Sequence, residues 1–170
     1  GLIRNFWRNR VLEKELGKRL SSKKLDSSFK IRKVAIIVDP KTEVESRFFL
    51  DLAKDFKILE VQIDLMLLNK DLKLGTQYQH FFDEDEVNFW SSFKGDLLNF
   101  CEGDYDLLIN YYNKANSIYS LISTRTNHKL SVGFMGADPR VNDLIFDFDP
   151  KDKQTFKNEL LKYMKILNKI

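Results

Sequence analysis

The chain has a single cysteine, three prolines and seven glycines among 170 residues, and each scarcity removes a class of protein. Cys101 has no partner for an internal disulfide, and no Cys-x-x-Cys or Cys/His pair has zinc-ligand spacing, so no metal site is expected and a reducing, cytoplasmic setting is. So little proline and glycine is incompatible with a collagen-like or low-complexity chain. No stretch approaches the ~20 apolar residues that cross a bilayer. Arg4, Arg8 and Arg10 interrupt the N-terminus where a secretory segment would be apolar, and Asn5 stands where an acylation signal beginning at Gly1 has Ser or Thr. Also absent are Gly-x-Gly-x-x-Gly, the P-loop and the Gly-x-Ser-x-Gly elbow. Without a phosphate-cradling loop after the first strand no cofactor is expected, no catalytic residue is assigned, and the balance leans away from an enzyme.

What is present is enough apolar sequence for one core: 43% hydrophobic residues against 31% charged, in a chain too short for two typical domains. Charge is spread unevenly. Residues 1–33 carry eleven Lys and Arg against Glu13, Glu15 and Asp26, a net +8, so with +3 overall the remainder stands at −5. A basic segment on a mildly acidic body points to a polyanionic partner. Phe6, Trp7, Val11, Leu12, Leu16 and Leu20 recur at near-helical spacing and predict an amphipathic helix over residues 3–20, its apolar stripe drifting around the axis. Residues 21–28, rich in Ser and Lys and without periodicity, read as a linker. The expected division is therefore a separable basic arm, residues 1–32, and an α/β domain, residues 33–170. In the arm, Arg4, Arg8, Arg10, Lys14, Lys18, Arg19, Lys23 and Lys24 are candidates for neutralising RNA phosphates, and Phe6 and Trp7 for stacking on bases. The same residues fit two other readings: a helix in the interface of an anionic membrane, and a helix docked on the acidic body.

The body opens with a continuous apolar run over residues 33–38, closed by Asp39-Pro40, which is the pattern of a strand buried on both faces of a parallel sheet. Val44, Phe48, Leu52 and Phe56 predict a crossover helix, and Val61, Ile63, Leu65 and Leu67 a second strand over residues 58–67. Residues 69–86 read as a loop ending in the acidic run 83–86, with a metal site as the minor reading, and the alternation of Val87, Phe89, Ser91 and Phe93 as a short strand. A short helix follows from Gly95 to Cys101, then a strand at 105–112, a helix at 114–124, strands at 130–134 and 144–148, and a terminal helix begun by Asp149-Pro150. Strands alternating with helices predict an open, mostly parallel Rossmann/flavodoxin-like sheet with helices on both faces.

In such sheets ligands sit beyond the carboxyl ends of the strands, where strand order reverses. That rule selects Asp39, Asn110, Tyr112, Asn113, Asp138, Arg140 and Asn142, with Asp143 beside them, as a candidate ligand edge. Asp39, ending a buried strand, is the leading acid among them; its plainer role is to cap the turn at Pro40. The glycines of Gly133-x-x-Gly136 read as turn formers. His80 and His128 fall in expected loops and read as surface residues, and Cys101 as a small buried one.

Asp106-Leu107-Leu108-Ile109-Asn110-Tyr111-Tyr112-Asn113-Lys114, followed by Val132-Gly133-Phe134, Asn142-Asp143-Leu144 and the ending Lys162-Tyr163-Met164-Lys165-Ile166-Leu167-Asn168-Lys169-Ile170, resembles a family of uncharacterised short α/β proteins of the Bacteroidota. The resemblance implies a bacterial cytoplasmic protein and brings no catalytic residue with it. Residues 105–134 are also similar to the strand, helix and Gly-Phe strand of heptosyltransferase-type glycosyltransferases, a local likeness that bears on fold. The leading expectation is a non-catalytic protein whose arm binds RNA, with the ribosome as the first candidate and a protein partner for the body. A nucleotide or sugar-nucleotide enzyme or sensor at the strand edge is the alternative, and a peripheral membrane protein the third.

Overall fold

The five residues Val34-Ala35-Ile36-Ile37-Val38 are apolar without exception because both faces of their strand are covered. The computed structural model describes residues 1–22, 28–69 and 78–170. Its elements run α1 (Leu2–Ser22), β1 (Val34–Val38), α2 (Ser46–Phe56), β2 (Ile63–Leu67), β3 (His80–Phe81), α3 (Gly95–Cys101), β4 (Tyr105–Tyr111), α4 (Ser117–Arg125), β5 (His128–Phe134), β6 (Leu144–Phe146) and α5 (Lys153–Ile166). The strands form one sheet in the order β3-β2-β1-β4-β5-β6, and every pairing in it is parallel. Alternate residues of β1 feed opposite cores, as the two-residue period of a strand requires. Val34, Ile36 and Val38 meet Phe49, Leu52 and Phe56 of α2 and Phe156, Leu160 and Met164 of α5. Ala35 and Ile37 meet Leu97 and Phe100 of α3, Leu121 and Ile122 of α4, and Leu12 and Leu16 of α1. Each large side chain so buried stabilises the fold by roughly 1.5–3 kcal/mol.

The expected open α/β sheet with helices on both faces is therefore what the chain forms. Its boundaries differ from expectation by two or three residues at α4, β5 and β6, and four further differences have a local reason. β2 begins at Ile63 rather than at residue 58, because β1 is five residues long and its first residue, Val34, pairs with Ile63; upstream, Glu60–Gln62 form a 3-10 turn with Leu59 and Val61 exposed. Within the stretch read as loop, His80 and Phe81 extend the sheet as edge strand β3 against Met66 and Leu67. Residues 87–93 share one antiparallel bridge, Val87 to Phe93, and form a turn in place of a strand. The side chain that caps α5 is Asp152, which accepts from the Thr155 amide, and not Asp149.

The expected division at residue 33 falls between α1 and β1, but α1 does not stand off from the body. Leu16 is 1% exposed and Leu12 is buried beside it in the α3/α4 core. The β5–β6 connection has only the 3-10 turn Pro139–Val141 and no α-helix of its own. It is α1, from the other end of the chain, that covers this part of the sheet face: it packs along α4, and Arg19 reaches Ser131 of β5. Lys23 and Lys24, and most of the expected linker, lie outside the described residues.

Candidate functional site

The strand order reverses between β1 and β4, so the crevice of this fold lies beyond their carboxyl ends, between the turn after Val38 and the loop after Tyr111. Asp39 stands there, 3% exposed. Its Oδ1 accepts from the Lys41 amide at 3.0 Å and its carbonyl from the Thr42 hydroxyl at 2.7 Å, so it does the capping work that its sequence position allows. Lys114 Nζ lies 3.9 Å from Asp39 Oδ2 and 5.1 Å over the Tyr119 ring. Burial, with the negative charge of Asp39 behind it, pushes the Tyr119 phenol up to about 12.

Three of the other edge candidates, Asn110, Tyr112 and Asn142, turn inward. Tyr112 and Ser123 share a hydrogen bond of 2.8 Å, the Ser123 hydroxyl donates to Asn110 Oδ1 at 2.7 Å, and Asn110 Nδ2 donates to Asn142 Oδ1 at 2.8 Å. All four residues are buried. This chain of polar groups ties β4 to α4 and to the β5–β6 connection, and burial drives the Tyr112 phenol well above its ordinary value. Gly133 makes room for it: a Cβ there would stand 2.3 Å from Asn142 Nδ2, an amide nitrogen that is buried and without a hydrogen-bond partner in the structure. Asn113 is exposed, and its carbonyl oxygen packs so close to Gly136, at φ +104°, that a Cβ would come within 2.2 Å.

Asp138 and Arg140 hold each other and α1. The Arg140 guanidinium donates to Asp138 from Nε at 3.0 Å and Nη2 at 2.8 Å, and to Glu13 from Nη1 at 2.8 Å and Nη2 at 3.0 Å. Hydrogen bonds from Arg140 hold the Asp138 carboxyl below its ordinary range against the opposing effect of burial. On the same corner the Arg19 side chain, 9% exposed, donates to the Arg140 carbonyl at 2.8 Å and to Ser131 Oγ at 2.9 Å, and pairs with Asp143 at 3.2 Å. The structure thus removes Arg19 from the RNA-facing set and Asn110, Tyr112 and Asn142 from an open ligand edge: their polar atoms are directed into the fold.

Among the described residues, the carboxyl edge has an open cleft of about 460 Å³ lined by Leu68, Asn69, Phe82, Asp83, Glu84, Asp85, Asn116, Ile118 and Tyr119. Three carboxylates and no Lys or Arg are among these residues. Asn116 is already engaged, its side chain accepting from the Ile118 and Tyr119 amides at the start of α4. Among the described residues no group of His, Cys, Asp and Glu is arranged to hold a metal ion. His80 pairs with Asp96 at 2.8 Å and His128 Nδ1 lies 2.7 Å from the Thr126 carbonyl oxygen, each at the head of a strand and not in a loop. Burial pushes the Cys101 thiol up to about 11, the state of a small packed residue and not of a nucleophile.

The remaining surface of interest is the outer side of α1. Leu12 and Leu16 face the body, with Arg4 Nη2 3.5 Å from the Val87 carbonyl oxygen, and burial and the neighbouring Arg4 lower the pKa of Arg8. Arg125 of α4 pairs with Glu15 at 3.5 Å. The opposite side carries Phe6, 57% exposed, and Trp7, with Arg10, Lys14 and Lys18 following. Two rings that sequence reasoning missed join them: Trp90, 57% exposed, stands 5.2 Å from Trp7, and Phe89 stands 4.9 Å from Trp90. Trp90 falls on the polar phase of the alternation that reads residues 87–93 as a strand. The signal that identifies it is the pair of adjacent large aromatics between the turn formers Asn88 and Ser91-Ser92.

Fold and site together define a doubly wound α/β protein of Rossmann-like arrangement, with its phosphate loop absent and an added helix across one face. The sequence matches a family of unknown function, DUF6913, over residues 4–167, α1 included, and the chain belongs to that family. No curated protein and no solved structure matches it.

Proposed function

We propose that the protein is a non-catalytic RNA-binding protein of the cytoplasm, ribosome-associated in the first instance, that binds through the outer side of α1. One observation carries the reading: docking spends Arg4, Arg8 and Arg19 on the body side of the helix and leaves Arg10 and Lys14 pointing outward without a salt bridge to any described residue, beside exposed Phe6 and Trp7. Spaced four residues apart, Arg10, Lys14 and Lys18 follow one another at about 6 Å along one stripe. That is a track for a phosphate backbone, with rings at one end of it. The test is RNA affinity of the full chain in a salt series. Replacing Arg10 and Lys14 with Ala removes two phosphate contacts, and the slope of log affinity against log salt falls by about 1.4 if the RNA is single-stranded. Absence of RNA binding by the parent chain at low salt overturns the proposal.

A small-ligand role has one supporting observation, the cleft at the carboxyl edge near Asp39. The lining of three carboxylates opposes a nucleotide or sugar nucleotide, whose phosphates would meet charge of their own sign. Thermal-shift screening against such nucleotides should therefore be blank, and a stabilising nucleotide would favour this second role.

A further inference from the structure

Deepening the RNA reading above and resting on it, we propose that the turn bearing Phe89 and Trp90 is the second half of the interface, and that its occupant is unpaired RNA whose bases stack on these rings. The turn is fixed at every backbone position that matters. Asn88 Oδ1 accepts from the Trp90 and Ser92 amides at 2.9 Å each, and the Asn88 amide donates to the Ser92 carbonyl at 3.0 Å. Ser91, at φ +64°, is buried, and the Arg125 guanidinium donates to its carbonyl while lying 4.5 Å over the Phe93 ring. A backbone so held presents two large rings to solvent with little entropy left to lose on binding.

Four rings then run in sequence across two distant parts of the chain. Phe6 and Trp7 meet at 6.3 Å, Trp7 and Trp90 at 5.2 Å, and Trp90 and Phe89 at 4.9 Å, each pair edge to face at 76–79°. An edge-to-face contact covers one ring face per pair, where a stacked contact covers one face of each ring. The Arg10 guanidinium lies 5.6 Å over Phe6, joining the rings to the basic stripe.

Charge decides the occupant. A second copy packed on this patch about a two-fold axis would bring two sets of Arg10 and Lys14 into one interface, with like charge near like charge. A bilayer surface needs a continuous apolar face, and beyond its second turn the outer side of α1 carries Arg10, Glu13, Lys14 and Gly17. Duplex RNA keeps its bases stacked on one another and offers the rings nothing to receive, whereas single strands and loops expose base faces. An anionic polymer with free base faces satisfies both the rings and the cations.

Both tryptophans of the chain lie in this patch, so quenching of tryptophan fluorescence, excited where tyrosine does not absorb, reports on it alone. The experiment titrates the full chain with a single-stranded RNA 12-mer, a 12-base-pair RNA duplex and phosphatidylserine-containing vesicles. Single-stranded RNA should quench and bind; Trp90→Ala should weaken it about 5- to 150-fold without changing the salt slope, and Trp90→Phe should recover most of the loss. An unchanged melting temperature of Trp90→Ala establishes that the variant is folded. Undiminished binding by Trp90→Ala, with weakening by the Arg10 and Lys14 substitutions, overturns this inference and leaves the RNA reading standing. Equal affinity for duplex overturns the stacking role. Binding to vesicles and to neither RNA overturns both readings.

Discussion

Two regions of the molecule invert the usual distribution of polarity. At the corner of β4, β5 and the β5–β6 connection, Asn110, Tyr112, Ser123 and Asn142 are buried polar residues bonded to one another. On the outer side of α1 and the turn at 87–93, Phe6, Trp7, Phe89 and Trp90 are exposed rings packed edge to face. By composition the first looks like a ligand site and the second like core. Burial reverses the assignment, because a polar group taken out of water needs a partner from the fold, while a large apolar patch left in water is the exception that asks for a partner from outside. The polar corner is part of what holds the structure together, and the aromatic surface is where recognition is to be sought.

The sharpest way to break this comparison lies within α1, which has both characters. Leu16, enclosed by the α3/α4 core, is expected to cost 2–5 kcal/mol of unfolding free energy as Leu16→Ala. Phe6→Ala, on the outer side of the same helix, should stay within about 0.5 kcal/mol of the parent. Urea denaturation of the two variants makes the measurement. Equal, small effects would restore the separable arm.

A smaller effect sharpens the polar side. Gly133→Ala drives a methyl group against the Asn142 amide, which Asn110 holds in place, and overpacking of this kind costs typically 1–3 kcal/mol. The penalty should shrink when Asn142 is also replaced by Ala, since the obstacle is then gone; a double-mutant cycle by chemical denaturation reads the coupling. Additive effects would mean that Gly133 is required for some reason other than the buried amide.

How much of this was legible in the sequence depends on whether a residue's neighbours are local. β1 reads directly, because a strand with helices on both faces must be apolar throughout. The terminal helix reads from its period, although its cap falls three residues beyond Asp149. The added helix α1 reads as a helix, but its drifting apolar stripe is two faces superimposed: Leu12 and Leu16 turn inward, Phe6 and Trp7 outward. A docked helix is one of the three readings that residues 1–32 allow, but nothing in them says which face of the body receives it, so the fate of Arg19 is invisible from the chain alone. The carboxyl-edge residues fall near the edge as the fold rule requires, yet a rule about position cannot say that the Asn110 amide already donates to the Asn142 side-chain oxygen inside the fold. Trp90 was hidden because its partner, Trp7, is more than eighty residues away.

The smallest expected effect concerns the seam between the two regions, where Arg140 joins Asp138 of the corner to Glu13 of α1. The Asp138 carboxyl is held below its ordinary range by the Arg140 guanidinium and amide. A group whose folded pKa is depressed contributes stability that is present above its unfolded pKa and is lost as pH falls through the folded one. Its contribution is therefore complete at neutral pH, begins to fade near the ordinary Asp value of 3.8, and is gone below the lowered one. Asp138→Asn removes about 1 kcal/mol at pH 7, the scale of a partly exposed ion pair, and the variant's unfolding free energy should approach that of the parent as the pH is taken below 3.8. Denaturation curves for the two proteins at pH 7, 5 and 3 test it. If the gap between the curves stays constant into acid, Asp138 acts through packing and its charge contributes nothing to the Arg140 clamp.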